Sequence, residues 1–238
     1  MNIATVDLDD TLIDTNSIYK NCRTNYCDYL NNKFGFDPET VEELIVDIDT
    51  NLFSSMGLSK ERFPKSFVLT ANTLLKNEEN VDVEYEKQTA YEFANEVYLT
   101  EKEYSNKGFM DDAKKMLNKL DTKYDRLHLL TVGVPSVQNP KIKALNLDNW
   151  FNSIHIEKLH GKKDRLNNLK STYDVNEIVH IGNSEKSDVK AAINANVKSI
   201  YIPNGQWMGT TDQNYDDFDT VLIFESLHEY ITYLRKNI

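Results

Sequence analysis

Two aspartates, Asp7 and Asp9, stand one residue apart where an apolar N-terminal run turns polar, in Val6-Asp7-Leu8-Asp9-Asp10-Thr11-Leu12. Side chains two apart on a strand share a face, so an extended backbone here directs both carboxylates the same way. Neighbouring carboxylates repel, and such a pair needs a metal ion, a shared proton or a distinct environment for each acid. One carboxylate can attack phosphorus and carry the phosphoryl group as an aspartyl-phosphate, dividing a hard hydrolysis into two easier steps. The other can protonate the leaving oxygen and later take a proton from water. An isolated Asp-x-Asp equally suits the start of a turn, so the assignment depends on what the rest of the chain supplies.

The apolar run, Asp-x-Asp-x-Thr and Leu12 resemble the first motif of the haloacid dehalogenase (HAD) superfamily of hydrolases. The resemblance implies that Asp7 is the nucleophile and Asp9 the general acid/base. The family's later motifs follow in order. Leu127-His128-Leu129-Leu130-Thr131 resembles the second, with the Thr131 hydroxyl expected on a phosphoryl oxygen. Gln138, Lys141-Ile142, Leu147 and Trp150-Phe151 then fall in the order seen in many capped members. Gly161-Lys162-Lys163-Asp164 is similar to the third motif, whose lysine holds the nucleophile and phosphate charges together. Lys163, two residues after the glycine, is the expected lysine, with Lys162 the alternative; Asp164 stands where the family has proline.

Ile178 through Asp188 resembles the fourth motif, a strand followed by Gly-Asp-Ser-x-x-x-Asp, with Asn183 in place of the first acid. The resemblance implies a Mg2+ site formed by Asp7, Asp9, Asn183 and Asp188. An amide oxygen is still a hard ligand suited to magnesium, but the lost charge is expected to weaken the site. Asp188 would ligate the metal directly, act through water, or orient Lys163. The resemblance spans about residues 1–14 and 105–205.

Asp9 bears on the reaction class. Carbon–halogen members of the family release halide and need no proton donor, whereas an alkoxide leaving group does, so phosphate ester hydrolysis is favoured. The expected activity is a magnesium-dependent phosphatase acting on a small phosphorylated metabolite, such as a nucleoside monophosphate or a sugar phosphate. Alternatives left open are a binding or regulatory protein with weakened catalysis, suggested by Asn183 and the missing proline, a phosphotransferase or mutase, and a dehalogenase.

The elements that must position these residues are legible as short apolar runs at 3–8, 127–132, 153–156, 178–181, 199–202 and 221–224. From residue 127 these strands alternate with helical patterns at 137–147, 164–172, 186–195 and 225–236. Such alternation predicts an α/β fold, a Rossmann-like parallel sheet with helices on both faces. Between the first two strands the sequence instead predicts helices at 18–34, 38–48, 62–76 and 84–98, with polar residues or Pro38 at their starts. The expected organisation is a catalytic core of residues 1–14 and 105–238 and an inserted all-α cap domain of residues 15–104. A closing cap would exclude water from a small substrate. Tyr19, Arg23 and Arg62 are its candidate substrate contacts.

The chain has 238 residues, 40% hydrophobic and 27% charged, enough for a full core and an insertion. Its net charge of -11 argues against a non-specific grip on nucleic acid or an anionic membrane. A local metal and one or two cations can still admit a phosphate. Cys22 and Cys27, five apart on an expected helix, are placed badly for a disulfide and read as free thiols. Without a basic leader or a long apolar run, the protein is expected in the cytoplasm. The sequence does not address oligomeric state.

Overall fold

The computed structural model describes residues 1–204 and 219–236. The chain divides into two compact units, one of Met1–Asn16 with Thr100–Ile238 and the other Ser17–Leu99, where 1–14 with 105–238 and 15–104 were expected. Residues 205–218 and 237–238 of the expected core lie outside the described residues.

The first unit is built on six strands: β1 (Asn2–Val6), β2 (Arg126–Val132), β3 (Ser153–Glu157), β4 (Glu177–Gly182), β5 (Lys198–Tyr201) and β6 (Val221–Ile223). They form one parallel sheet in the order β3-β2-β1-β4-β5-β6. Ile3, Thr5, His128, Leu130, Ile178 and His180 lie on one face by register, and Ala4, Val6, Leu129, Val179 and Ile181 on the other. Both sets are buried, so helices cover both faces and the strands read as continuous apolar runs rather than alternating ones.

The helices of this unit are numbered after four in the other: α5 (Glu101–Lys107), α6 (Ala113–Lys123), α7 (Pro135–Ala144), α8 (Lys162–Thr172), α9 (Lys190–Asn194) and α10 (Leu227–Lys236). α8 supplies Leu166 and Leu169, and α9 with the residue that ends it supplies Ala192 and Ala195, to a core cluster with Ile3, Leu130 and Ile178. Helices α5 and α6 are additional to the sequence reading. A capping box between Thr100 and Glu103 starts α5. The fourth-motif segment opens as one π-helical turn, Glu185–Val189, before α9, where a single helix was expected over 186–195.

The other unit is all helical: α1 (Asn16–Phe34, entered from the first unit), α2 (Pro38–Met56), α3 (Arg62–Leu75) and α4 (Val83–Asn95). Asp37 and Asp82 cap α2 and α4 by accepting from the N–H groups of Thr40 and Tyr85. α2 runs eight residues past its expected end at 48. Within that extension Asp49 accepts from Arg62 at 2.7 Å, a buried ion pair that ties α2 to α3. Tyr26 packs against Phe67 and Phe93 with centroids 5.1 and 5.5 Å apart. Both cysteines are buried free thiols. No helix among the described residues is long and apolar enough to cross a membrane.

Candidate active site

Strand order reverses at β1, because the chain proceeds outward through β2 and β3 and then returns to β4 on the other side. The crevice at such a reversal, beyond the carboxyl ends of the strands, is where open parallel sheets bind ligands. Asp7 immediately follows β1, and Asn183 immediately follows β4. The Asp7 amide donates to the Ile181 carbonyl at 2.9 Å, holding these two strand ends together.

Asp7 continues the face of Ile3 and Thr5, the one covered by α8. The Lys162 ammonium, at the first residue of α8, donates to Asp7 Oδ1 at 2.6 Å and also to Asp188 Oδ1. Lys162 is 1% exposed, whereas Lys163 is exposed to solvent. The structure thus places Lys162, not the expected Lys163, beside Asp7. The reason is helical register. Lys162, Leu166 and Leu169 lie on one stripe of α8 that faces the sheet, and Lys163 is turned about 100° away from it.

Asp188 is held from three sides. Its Oδ2 accepts from the Ser184 N–H at 2.8 Å, and its Oδ1 lies 2.9 Å from His180 Nε2. Burial pushes the His180 pKa down despite Asp188, and with Nε2 donating to Asp188 the Nδ1 atom accepts from the Thr5 hydroxyl 2.8 Å away. A Cβ on Gly182 would fall 2.3 Å from Asp188 Cγ, so glycine is required there for close approach rather than for an unusual φ.

This charge balance is uneven. Asp7 and Asp188 share one ammonium. Burial pushes the Asp7 carboxyl up to about 7, with Asp188 and Asp9 adding to the rise and Lys162 opposing it. Burial also opposes ionisation of Asp188, but Lys162 and His180 overcome it and hold the group well below the usual carboxylate range.

Asp9 takes a different direction from Asp7. β1 ends at Val6, and Asp9 already forms a bridge with Ile13 while Asp10 adopts a left-handed φ of 56°. The two-residue strand period therefore does not carry through to Asp9, and the expected shared direction of the two carboxylates is not realised as a shared set of partners. Asp9 Oδ1 accepts from Lys141 at 2.6 Å and Oδ2 from Gln138 Nε2 at 2.8 Å, both on α7. Gln138 also donates to the hydroxyl oxygen of buried Thr131 at 2.9 Å, linking the end of β2 to Asp9.

Asn183 uses both ends of its amide. Nδ2 donates to the Asn204 carbonyl at 3.2 Å, and Oδ1 accepts a long 3.4 Å contact from Thr11. Asn204 in turn donates to the Asp10 carbonyl at 3.2 Å. A cavity of about 540 Å³ opens on this side, lined by Asp10, Thr11, Met110 and Asn204 among others, but not by Asp7 or Asp9.

The model of the haloacid dehalogenase-like hydrolases matches residues 1–196. The chain belongs to that family. It is 26% identical over 236 residues to the glyceraldehyde 3-phosphate phosphatase of Pyrococcus furiosus, covering 92% of this chain and 87% of the relative. The enzyme of the same name from Pyrococcus abyssi is 27% identical over 220 residues, covering 84% and 80%. A haloacid dehalogenase-like hydrolase from Xanthomonas campestris shares the fold with a TM-score of 0.73 at 17% identity, covering 99% of this chain and 91% of that one.

The HAD-like family implies magnesium, and the donors can be tested against it. Among the described residues no three His, Cys, Asp or Glu side chains gather as a metal cluster. Asp188 commits both oxygens to Lys162, His180 and Ser184, and Asp9 commits both to α7. Asp7 Oδ2 and Asn183 Oδ1 are hard oxygens that can serve a cation, and the excess negative charge around Asp7 favours one. These two residues fit; the side chains of Asp9 and Asp188, also expected at the metal, accept hydrogen bonds from Lys141 and Gln138 and from Lys162, His180 and Ser184.

Sequence reasoning left Gln138 and Lys141 without a role and passed over His180, Thr5 and Asn204. Gln138 and Lys141 carried a usable signal, polar residues three apart just after the Thr131 strand. Asn204 carried none. The candidate substrate contacts are engaged inside the helical unit: Arg62 with Asp49, Arg23 with Glu42 at 3.1 Å, and Tyr19 edge-on to Phe63.

Proposed function

We propose that this HAD-like hydrolase is a phosphatase that hydrolyses a small phosphate monoester through an aspartyl-phosphate on Asp7. The observation that carries the reading is the pairing of buried Asp7 with Lys162 at the sheet's reversal point. Lys162 screens the approach of an anionic phosphate to an anionic nucleophile. The Thr131 hydroxyl is a further donor for a phosphoryl oxygen, and Asp9 serves as acid and then base. Asp7 and Asn183 would hold magnesium, which when bound neutralises phosphate charge. The helical unit, inserted between β1 and β2, is the cap domain of this reading.

The names of the two curated relatives make glyceraldehyde 3-phosphate the first substrate to try. Asp9 favours ester hydrolysis over dehalogenation, since halide leaves without a proton. Phosphate release should be measured over a panel of phosphorylated metabolites, with and without magnesium, for the wild type and Asp7→Asn. Metal-dependent release that Asp7→Asn abolishes is expected. Release indifferent to both would overturn the reading.

A further inference from the structure

On α7, Gln138 and Lys141 lie three residues apart and so face the same way, and both side chains are buried. Burying an ammonium is costly, and an apolar residue would serve packing better. Here the ammonium and the amide each meet a different oxygen of one carboxylate, that of Asp9, at 2.6 and 2.8 Å. Gln138 Oε1 also accepts from Lys141 at 2.8 Å, so the two donors brace each other.

A carboxylate offers about four lone-pair sites. With one site on each oxygen filled by α7, each oxygen keeps another to receive a proton. The observed geometry is that of a proton acceptor.

We propose that Gln138 and Lys141 are positioning residues that orient Asp9 for the second half of the reaction, hydrolysis of the phosphorylated enzyme. The proposal rests on the reading of Asp7 as nucleophile. In that step the water oxygen bonds to phosphorus as the bond from phosphorus to the Asp7 oxygen breaks. The electron pair returns to the Asp7 carboxylate, the water proton passes to Asp9, and inorganic phosphate is released. The proton gained by Asp9 is the one given to the next leaving group.

The test is the pre-steady-state hydrolysis of p-nitrophenyl phosphate in magnesium by the full chain and its Lys141→Met variant. Nitrophenolate departs without a proton, so formation of the phosphoenzyme is insensitive to Asp9 and its hydrolysis is not. Lys141→Met should give a nitrophenolate burst with a rate constant close to the wild type's. Its steady rate should fall on the order of 10- to 100-fold, the scale of a misplaced catalytic group. Lys141→Arg should recover part of that rate. Thermal unfolding checks that the variant folds. If it does not, Gln138→Leu removes one donor while keeping the ion pair, and should show the same split.

An unchanged steady rate, equal losses in burst and steady phases, or a raised KM at constant kcat each overturn the positioning role. If the wild type has no turnover, or Asp7→Asn retains it, the phosphatase reading itself is overturned.

Discussion

Lys162 Nζ lies 2.6 Å from Asp7 Oδ1 and simultaneously bonds Asp188, so one buried ammonium joins carboxylates that follow β1 and β4. Removing it leaves two acids facing each other in a buried site. Lys162→Met is expected to lose about 3–5 kcal/mol of stability, the usual consequence of breaking a buried pair from one side. It should also lose hydrolysis. Lys163→Met, on the solvent side of α8, should stay within about 0.5 kcal/mol of the wild type. Denaturant unfolding and a phosphate-release assay on both variants check this. Equal effects would contradict the assignment of Lys162.

Gly182 leaves the space that the Asp188 side chain fills. Gly182→Ala puts a methyl 2.3 Å from Asp188 Cγ, and Asp188 is pinned by Lys162, His180 and Ser184. Overpacking of this kind costs about 1–3 kcal/mol. Because the displaced group orients Lys162, activity should fall more than stability alone explains. Activity measured well below the variant's melting temperature separates the two. Full activity there would show that Asp188 need not stay where it is.

Asn183 explains its own departure from the family pattern. Its Nδ2 donates to the Asn204 carbonyl, a bond that an aspartate cannot make. Asn183→Asp should therefore lose about 1–3 kcal/mol of metal-free stability, as expected for a carbonyl left facing an acceptor. Added magnesium should restore part of this loss. The same change should lower the magnesium concentration needed for half-maximal activity, since a second anionic donor joins Asp7. A raised requirement would mean that Asn183 does not hold the metal.

His128 gives the protein a pH dependence unrelated to the reaction. The ring is buried against His155 and Tyr173. Burial, then His155 and Arg126, push its pKa down to about 4. The unfolded chain, with a pKa near 6.5, binds the proton more readily, so this residue's contribution is present above pH 6.5 and lost as pH falls towards 4. The loss is on the order of 1–3 kcal/mol. Unfolding free energies of the wild type and His128→Gln at pH 7 and 4.5 test it. The variant should lose less over that interval; parallel losses would refute it.

The sheet is legible in the sequence. The inner strands β1, β2, β4 and β5 are short apolar runs because a parallel sheet buries both faces, and that pattern is local, while the edge strands β3 and β6 are less buried. It also carried the family, since Asp7, Thr131 and the Gly182 to Asp188 segment are contiguous with strands whose ends the sheet must gather. The choice between Lys162 and Lys163 was decided by the phase of α8, which Leu166 and Leu169 already encode at helical spacing.

How Asp7 and Asp9 divide between two helices is set by long-range packing. Strand periodicity directs Asp7 and Asp9 the same way, but β1 stops at Val6 and the left-handed turn at Asp10 ends its reach. Asp7 then meets Lys162 on α8, and Asp9 meets Gln138 and Lys141 on α7. Those partners are more than a hundred residues away along the chain. No local pattern specifies which lysine a carboxylate meets, because that contact is fixed by the packing of two different helices against one sheet.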